Sequence, residues 1–384
     1  MPGKAVQVNP AVLEWARAVG GFTLDEAADR LSVPPARLHA LEHGAERPTL
    51  TLLRRIAKLY ALPLGTLLMP EPIPAPSPPE DMRTVGGQHR PLSPKTLRTI
   101  REVRERQELA QEIVANAPEL YPRPSLANLE HSENPSQAGE SERKRLAPEW
   151  RAQLAWNDAS QALREWRLLL ESQRILVFSE PMDRDDARGF CLLDHAEIPV
   201  IVVNSRESSQ ARCFTLFHEY AHLLLRGPAL CLELEVDVDR AQVEAFCNRF
   251  AAAFLMPEPA IDDVFRDAGG NGSVARDLDS LSLAASRLKV SRPALALRLE
   301  QLGRAPRGYF DEISNQLAAE TWIPKSTRRG GPRFSISLLS RLGTRYPSLV
   351  LDALQARVID AATAGEMLNA PARALPDIAR DLGR

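Results

Sequence analysis

His218, Glu219 and His222 form the string His-Glu-Tyr-Ala-His inside Phe214–Leu225, a stretch of helix-forming and largely apolar residues. On a helix, positions i and i+4 share one face about 6 Å apart, so both imidazoles can reach a single ion. Zinc suits that donor set, and Glu219, beside the first imidazole, is placed to take a proton from water at the metal. An incidental surface pair of histidines would not stand among Phe214, Leu216, Phe217, Leu223 and Leu224.

A catalytic zinc takes three protein ligands and keeps one position open. Glu244 and Asn248 repeat the i, i+4 spacing on a segment otherwise lined with Phe246, Cys247, Phe250 and Phe254. A carboxylate there is costly unless it is paired or bound to metal, which makes Glu244 the expected third ligand. The alternative is a solvated carboxylate on an exposed stripe with Arg240. Cys231 lies nine residues beyond His222, a length that can fold back over the metal at about 3.3 Å per extended residue. As a thiolate it would be a fourth metal ligand in the position meant for water. The alternative is a small buried residue in the apolar run Ala229–Leu232.

These groups need elements to hold them. Two short β-type runs, 174–178 and 199–204, with 189–193 between them, precede two helices, Cys213 to Leu225 and Ala241 to Leu255. The expected unit is α+β: a small antiparallel sheet followed by the zinc-binding helices. Pro199–Val203 is expected at its edge, where an extended peptide could pair with it. Tyr220, inside the metal motif, is expected to point away from the metal.

Prolines mark the seams. Six fall in Pro70–Pro79, which neither a helix nor the inside of a sheet accepts. The expected order is a helical unit over 1–69, a Pro-rich linker over 70–92, a connecting helix and flexible loop over 93–150, the metal domain over 151–325 and a small helical module over 326–384. The polar run 131–142 is the expected loop. Residues 258–325 are expected to complete the core of the metal domain. The last module carries no chemistry and reads as a substrate-recognition or dimerisation element, the latter giving a homodimer.

In the first unit, Thr23 and Glu26 have the spacing of a capping box. Leu24, Ala27, Ala28 and Leu31 give an apolar face, Ser32-Val33-Pro34 a tight turn, and Ala36–His43 a second short helix ending at Gly44. Two short helices across a tight turn are helix-turn-helix architecture. The stretch Phe22–Val33, with Leu38, Leu41–Gly44 and Arg47–Thr49, resembles the Xre/Cro/lambda-repressor-like family. Members of that family often hold phosphate and read bases through Gln or Ser where this chain has Leu24 and Pro35, and often turn on glycine where it has Ser32. Arg37, His39, His43 and Arg47 remain as candidate DNA contacts, so weak, salt-sensitive binding is expected. The alternative is a helix-turn-helix reused to bind a protein.

From Trp166 to Pro257 the chain resembles the ImmA/IrrE metallopeptidases. Arg188-Gly189-Phe190, the strand ending at Asn204, the His-Glu-x-x-His helix, Glu244 to Asn248, Phe250-Ala251 and Leu255-Met256-Pro257 carry the likeness. It implies a zincin-like fold, with a small sheet packed on zinc helices and Asn248 one turn beyond the ligand. It also implies a zinc-dependent regulatory endopeptidase whose substrate is a helix-turn-helix repressor, acting in mobile-element, toxin–antitoxin or stress-response control. The fold class expected for the whole chain is mainly α, with an α+β peptidase domain behind an all-α helix-turn-helix domain.

Composition removes other classes. Lys plus Arg (48) against Asp plus Glu (50) gives a net charge of −2, so no global field recruits nucleic acid, and any DNA contact is local. No apolar run approaches the roughly 20 residues that span a bilayer, and the first residues lack the apolar stretch of a secretory signal. Four cysteines in 384 residues are no disulfide framework, which points to a reducing cytoplasm. The competing function is a DNA-binding transcriptional regulator whose metal site is structural or sensory. The intact Glu219 argues against it, because a structural site needs no base.

Overall fold

The computed structural model describes residues 5–73, 92–122, 124, 126–147, 149–193, 198–225, 240–267, 278–318 and 333–384. The chain divides into two compact units, one of residues 1–80, 84–105 and 181–187, the other of 81–83, 106–180 and 188–384. No helix among the described residues is long and apolar enough to cross a membrane.

The first unit opens with α1 (Pro10–Gly20), α2 (Leu24–Leu31), α3 (Pro35–Glu42) and α4 (Leu50–Tyr60). Their apolar faces meet in one core that includes Leu13, Ala27, Leu31, Leu38, Leu53, Ile56 and Tyr60. Both halves of the capping box form: the Thr23 side chain accepts from Glu26 N, and Glu26 accepts from Thr23 N at 2.9 Å. Ser32, at the turn, sits in the left-handed region at φ 50°, the conformation that favours glycine. Arg17 closes the bundle with Nε 2.9 Å from the buried carboxylate of Glu42. Helix α5 (Pro94–Asn116) gives its first half to this unit, where Arg101 donates to Tyr60 O at 2.9 Å.

The second unit starts with the other half of α5, followed by α6 (Pro135–Leu146), α7 (Trp150–Ala155) and α8 (Ala159–Ser172). Strands β1 (Leu176–Glu180), β2 (Gly189–Leu192) and β3 (Val200–Asn204) come next, then α9 (Ser209–Leu225) and α10 (Arg240–Leu255). Helices α11 (Glu258–Asp267), α12 (Leu278–Leu288), α13 (Arg292–Gln301) and α14 (Tyr309–Ala318) succeed them. The chain closes with α15 (Phe334–Leu342), α16 (Arg345–Gln355), α17 (Ala361–Leu368) and α18 (Leu375–Asp381).

All strand residues are buried, so the sheet is covered on both faces. Alternation sorts them. Val177, Cys191, Ile201 and Val203 join the core formed with α8 to α13, whereas Phe178 meets the Tyr346 ring of α16 at 5.6 Å. Leu281 and Leu288 of α12 and Leu295 and Leu299 of α13 lie in the same core as Leu216, Phe217 and Leu224 of α9.

Two expectations fail here. The sheet is mixed, with order β1-β3-β2: β3 pairs parallel with β1 and antiparallel with β2. Strand β3 is therefore central, both its hydrogen-bonding edges are used, and Pro199–Val203 cannot take up a substrate strand. The segment after β1 delivers β2 to the far side of β3, whereas the expectation assumed that consecutive strands pair.

The run 131–142 is not a flexible loop. Asn134 caps α6, accepting from Ser136 N at 3.0 Å and Gln137 N at 3.2 Å, with Pro135 in the first turn. Asn-Pro-Ser is a helix start, and the inner face combines the small Ala138 and Gly139 with Glu142 and Arg143, buried polar groups that no apolar pattern announces. A Cβ on Gly139 would lie 2.5 Å from Phe250 O, so α6 and α10 cross at backbone range. That contact fixes α10, the helix carrying Glu244.

Candidate metal centre

From Cys213 to Leu225 every residue of α9 is buried, including His218, Glu219 and His222. Burying three titratable groups on one helix requires compensation close by. Helix α10 supplies it. Glu244 reaches His218 Nε2 with Oε2 at 3.2 Å and His222 Nε2 with Oε1 at 3.5 Å, and the two Nε2 atoms are 3.2 Å apart. Tetrahedral ligands at about 2.0–2.1 Å from a shared zinc lie roughly 3.3–3.4 Å from one another. The two imidazole nitrogens stand close to that spacing, each has a Glu244 oxygen within 3.5 Å, and these side chains are the one metal-capable His/Cys/Asp/Glu group among the described residues.

Asn248 Oδ1 stands 3.0 Å from His218 Nδ1, so Nδ1–H donates to it and the lone pair of Nε2 faces the shared point. The side chains themselves report an attraction for positive charge. Burial alone would raise the Glu244 carboxyl, but hydrogen bonds to both imidazoles hold it well below the usual carboxylate range. Burial works against charge on His222 as well, yet Cys247, Glu244 and Glu219 together raise it well above an ordinary imidazole. The same neighbours that favour positive charge on His222 would favour a divalent cation at this point.

Glu219 lies under the start of β2. A Cβ on Gly189 would come 3.2 Å from Glu219 Oε1 and 2.7 Å from Val202 O, and would collide with the Thr215 side chain. Glycine at 189 lets an edge strand approach the carboxylate. Tyr220 points away from the metal residues, as expected, and its hydroxyl donates to Glu142 Oε1 at 2.5 Å.

Two neighbours escaped the sequence reading. Cys247, a free buried thiol, lies against His222, with its own ionisation pushed up by burial. His131 comes near enough for the His222 charge to add to burial in lowering its ionisation, and its ring lies edge-on to Phe246 at 6.4 Å. No local spacing announces His131; it arrives on the chain leading into α6. Cys231, the sulfur that sequence offered as a ligand, lies outside the described residues.

The candidate DNA contacts belong to the first unit. Arg37, His39, His43 and Arg47 are all exposed. The Arg37 guanidinium is 3.2 Å from Glu46, and His39 and His43 stack with ring centroids 3.9 Å apart.

Residues 170–300, which hold the whole cluster, match the IrrE N-terminal-like domain family, and residues 13–67 match a helix-turn-helix family. The chain carries an IrrE N-terminal-like domain behind a helix-turn-helix domain. The radiation response metalloprotease IrrE of Deinococcus deserti is 30% identical over 167 residues, which cover 40% of this chain and 57% of that protein. The protein of the same name from Deinococcus radiodurans is 34% identical over 84 residues, covering 21% of this chain and 26% of the relative. The chain thus spans just over half the length of the first relative and about a quarter of the second. His218, Glu219, His222 and Glu244 all fall inside the IrrE-like domain.

Proposed function

We propose that the IrrE-like domain is a zinc-dependent endopeptidase that cuts a peptide bond in a regulatory protein, a helix-turn-helix repressor in the first instance. The observation that carries this reading is the convergence of His218 Nε2, His222 Nε2 and a Glu244 carboxylate oxygen within 4.8 Å of one another, with the buried Glu219 beside them. His218, His222 and Glu244 would hold the ion. When bound, zinc supplies Lewis-acid polarisation of the scissile carbonyl and lowers the pKa of water.

The chain's own groups do the rest. Glu219 takes the proton from the attacking water and returns it to the leaving amine, the general-base and then general-acid role. Asn248 keeps the His218 tautomer fixed. Strand β2, an edge strand whose Gly189 backbone approaches Glu219, is the pairing surface for an extended substrate. The helix-turn-helix domain brings the peptidase to DNA or to its substrate. Arg37, His39, His43 and Arg47 give weak contacts with little base discrimination, because Glu46 already competes for Arg37.

The test is incubation of the zinc-loaded protein with the repressor-like protein encoded beside it, then mass spectrometry of the products. One defined cleavage is expected. It should vanish in Glu219→Gln while metal content stays stoichiometric. Cleavage undiminished in Glu219→Gln would remove the base from the mechanism. Zinc held tightly with no cleavage of this substrate would favour the structural or sensory metal site.

A further inference from the structure

We propose that the second unit has a separate ligand site: the cavity between α8, β1, the first turns of α9 and α15 binds a phosphate monoester with a small apolar body. The cavity measures about 510 Å³, within the range that encloses a small organic ligand. Its walls are of two kinds. Leu163, Val177, Val203 and Leu216 line one side, and Ile336 and Leu339 of α15 close the other. Arg164, Arg167, Arg212, Ser160, Ser179 and Ser209 supply polar groups, and the Glu171 carboxylate, Ser340 and Thr344 also line the wall.

Charge selects the head group. Arg167 is committed: it donates to Val177 O, Ser340 O and Arg341 O at 3.1, 2.6 and 3.0 Å, with Glu171 3.5 Å away. Glu171 is held in turn by Thr344 N at 3.0 Å. Among the described residues, Arg164 and Arg212 have no carboxylate at ion-pair distance. The Arg212 guanidinium is steadied by Ser179 Oγ at 3.2 Å and Ser209 Oγ at 3.4 Å, yet its Nε–H is buried with no acceptor among the described residues.

Two guanidiniums without a carboxylate at ion-pair distance, with Asp158 and Glu207 only more remotely placed, match the charge of roughly −1.5 to −2 on a phosphate monoester near neutral pH better than the single charge of a carboxylate. The hydroxyls of Ser160 and Ser209, 3.2 Å apart, can donate to further oxygens. Ser209 opens the 17-residue α9, whose positive end adds to the attraction. The leucines and valines take the apolar body. The site shares α9 with the metal centre but uses none of its ligands, so it stands whether or not the peptidase reading does.

Isothermal titration of the full-length protein with phenyl phosphate tests the proposal, with inorganic phosphate, benzoate and phenol as comparisons. Phenyl phosphate should bind one to one, at least tenfold more tightly than any of the other three. Arg212→Leu should weaken it tenfold or more, which separates this cavity from phosphate bound at a metal or on the helix-turn-helix domain. Leu339→Trp, which fills the cavity from α15, should abolish binding and serves if Arg212→Leu does not fold. No heat with phenyl phosphate at millimolar concentration would overturn the proposal. So would benzoate binding as tightly, or binding unchanged in a folded variant.

Discussion

Asn248 and His218 sit on different helices, 30 residues apart, and meet through one contact, Asn248 Oδ1 to His218 Nδ1 at 3.0 Å. The contact makes Asn248 the residue that decides which imidazole nitrogen of His218 faces His222 and Glu244. Partners of this kind typically change metal affinity 10–100-fold when removed. Asn248→Ala should therefore weaken zinc binding by roughly that factor in a chelator competition. Asn248→Asp, which preserves the acceptor, should recover most of it. Equal affinity in all three proteins would show that the contact orients nothing.

Zinc retention should fall with pH earlier than ordinary histidine chemistry implies. Metal needs the neutral imidazole of His222, and the surrounding Cys247, Glu244 and Glu219 raise the pH at which that ring holds its proton. The proton therefore starts to compete above the usual histidine value of about 6.5. Glu244, held below the carboxylate range, does not limit binding in that window. Chelator competition from pH 8.5 down to 6 should show affinity declining across the whole span, and a flat profile to pH 6 would contradict the assigned neighbours.

Gly189→Ala should damage stability and catalysis together. The added methyl meets Thr215, Val202 O and Glu219 Oε1, so β2 must move off α9. Overpacking of this kind costs about 1–3 kcal/mol. A lower melting temperature with slowed cleavage is expected, and a variant equal to wild type in both would mean that β2 does not approach Glu219 as closely as described.

Ser32→Gly should stabilise the helix-turn-helix domain. Ser32 holds φ 50°, which costs an L-residue roughly 1–2 kcal/mol, partly offset by the entropy glycine loses on folding. The net gain should be about 0.5–1 kcal/mol. Slower hydrogen exchange of the α2 and α3 amides in the full chain would register it, and faster exchange would show that Ser32 makes a compensating contact.

Sequence by itself determined the relations that local geometry dictates. The His218–His222 pair, with Glu219 between, is fixed by the pitch of one helix, and so are the Thr23–Glu26 cap and the Glu244–Asn248 spacing. Each relation spans four residues or fewer, and the helix supplies the rest of the geometry. Tertiary structure decided everything that joins one element to another. It brought Glu244 to within 3.2 Å of His218 by crossing α10 over α6 at Gly139, placed β3 between β1 and β2, and set Cys247 and His131 beside His222. It also packed the polar run 135–146, a helix that Asn134 caps locally, against the backbone of Phe250, more than a hundred residues further on. Helix pitch repeats every 3.6 residues and is visible in any window of sequence, whereas strand order and helix crossings depend on which distant surfaces fit, and no local pattern encodes that fit.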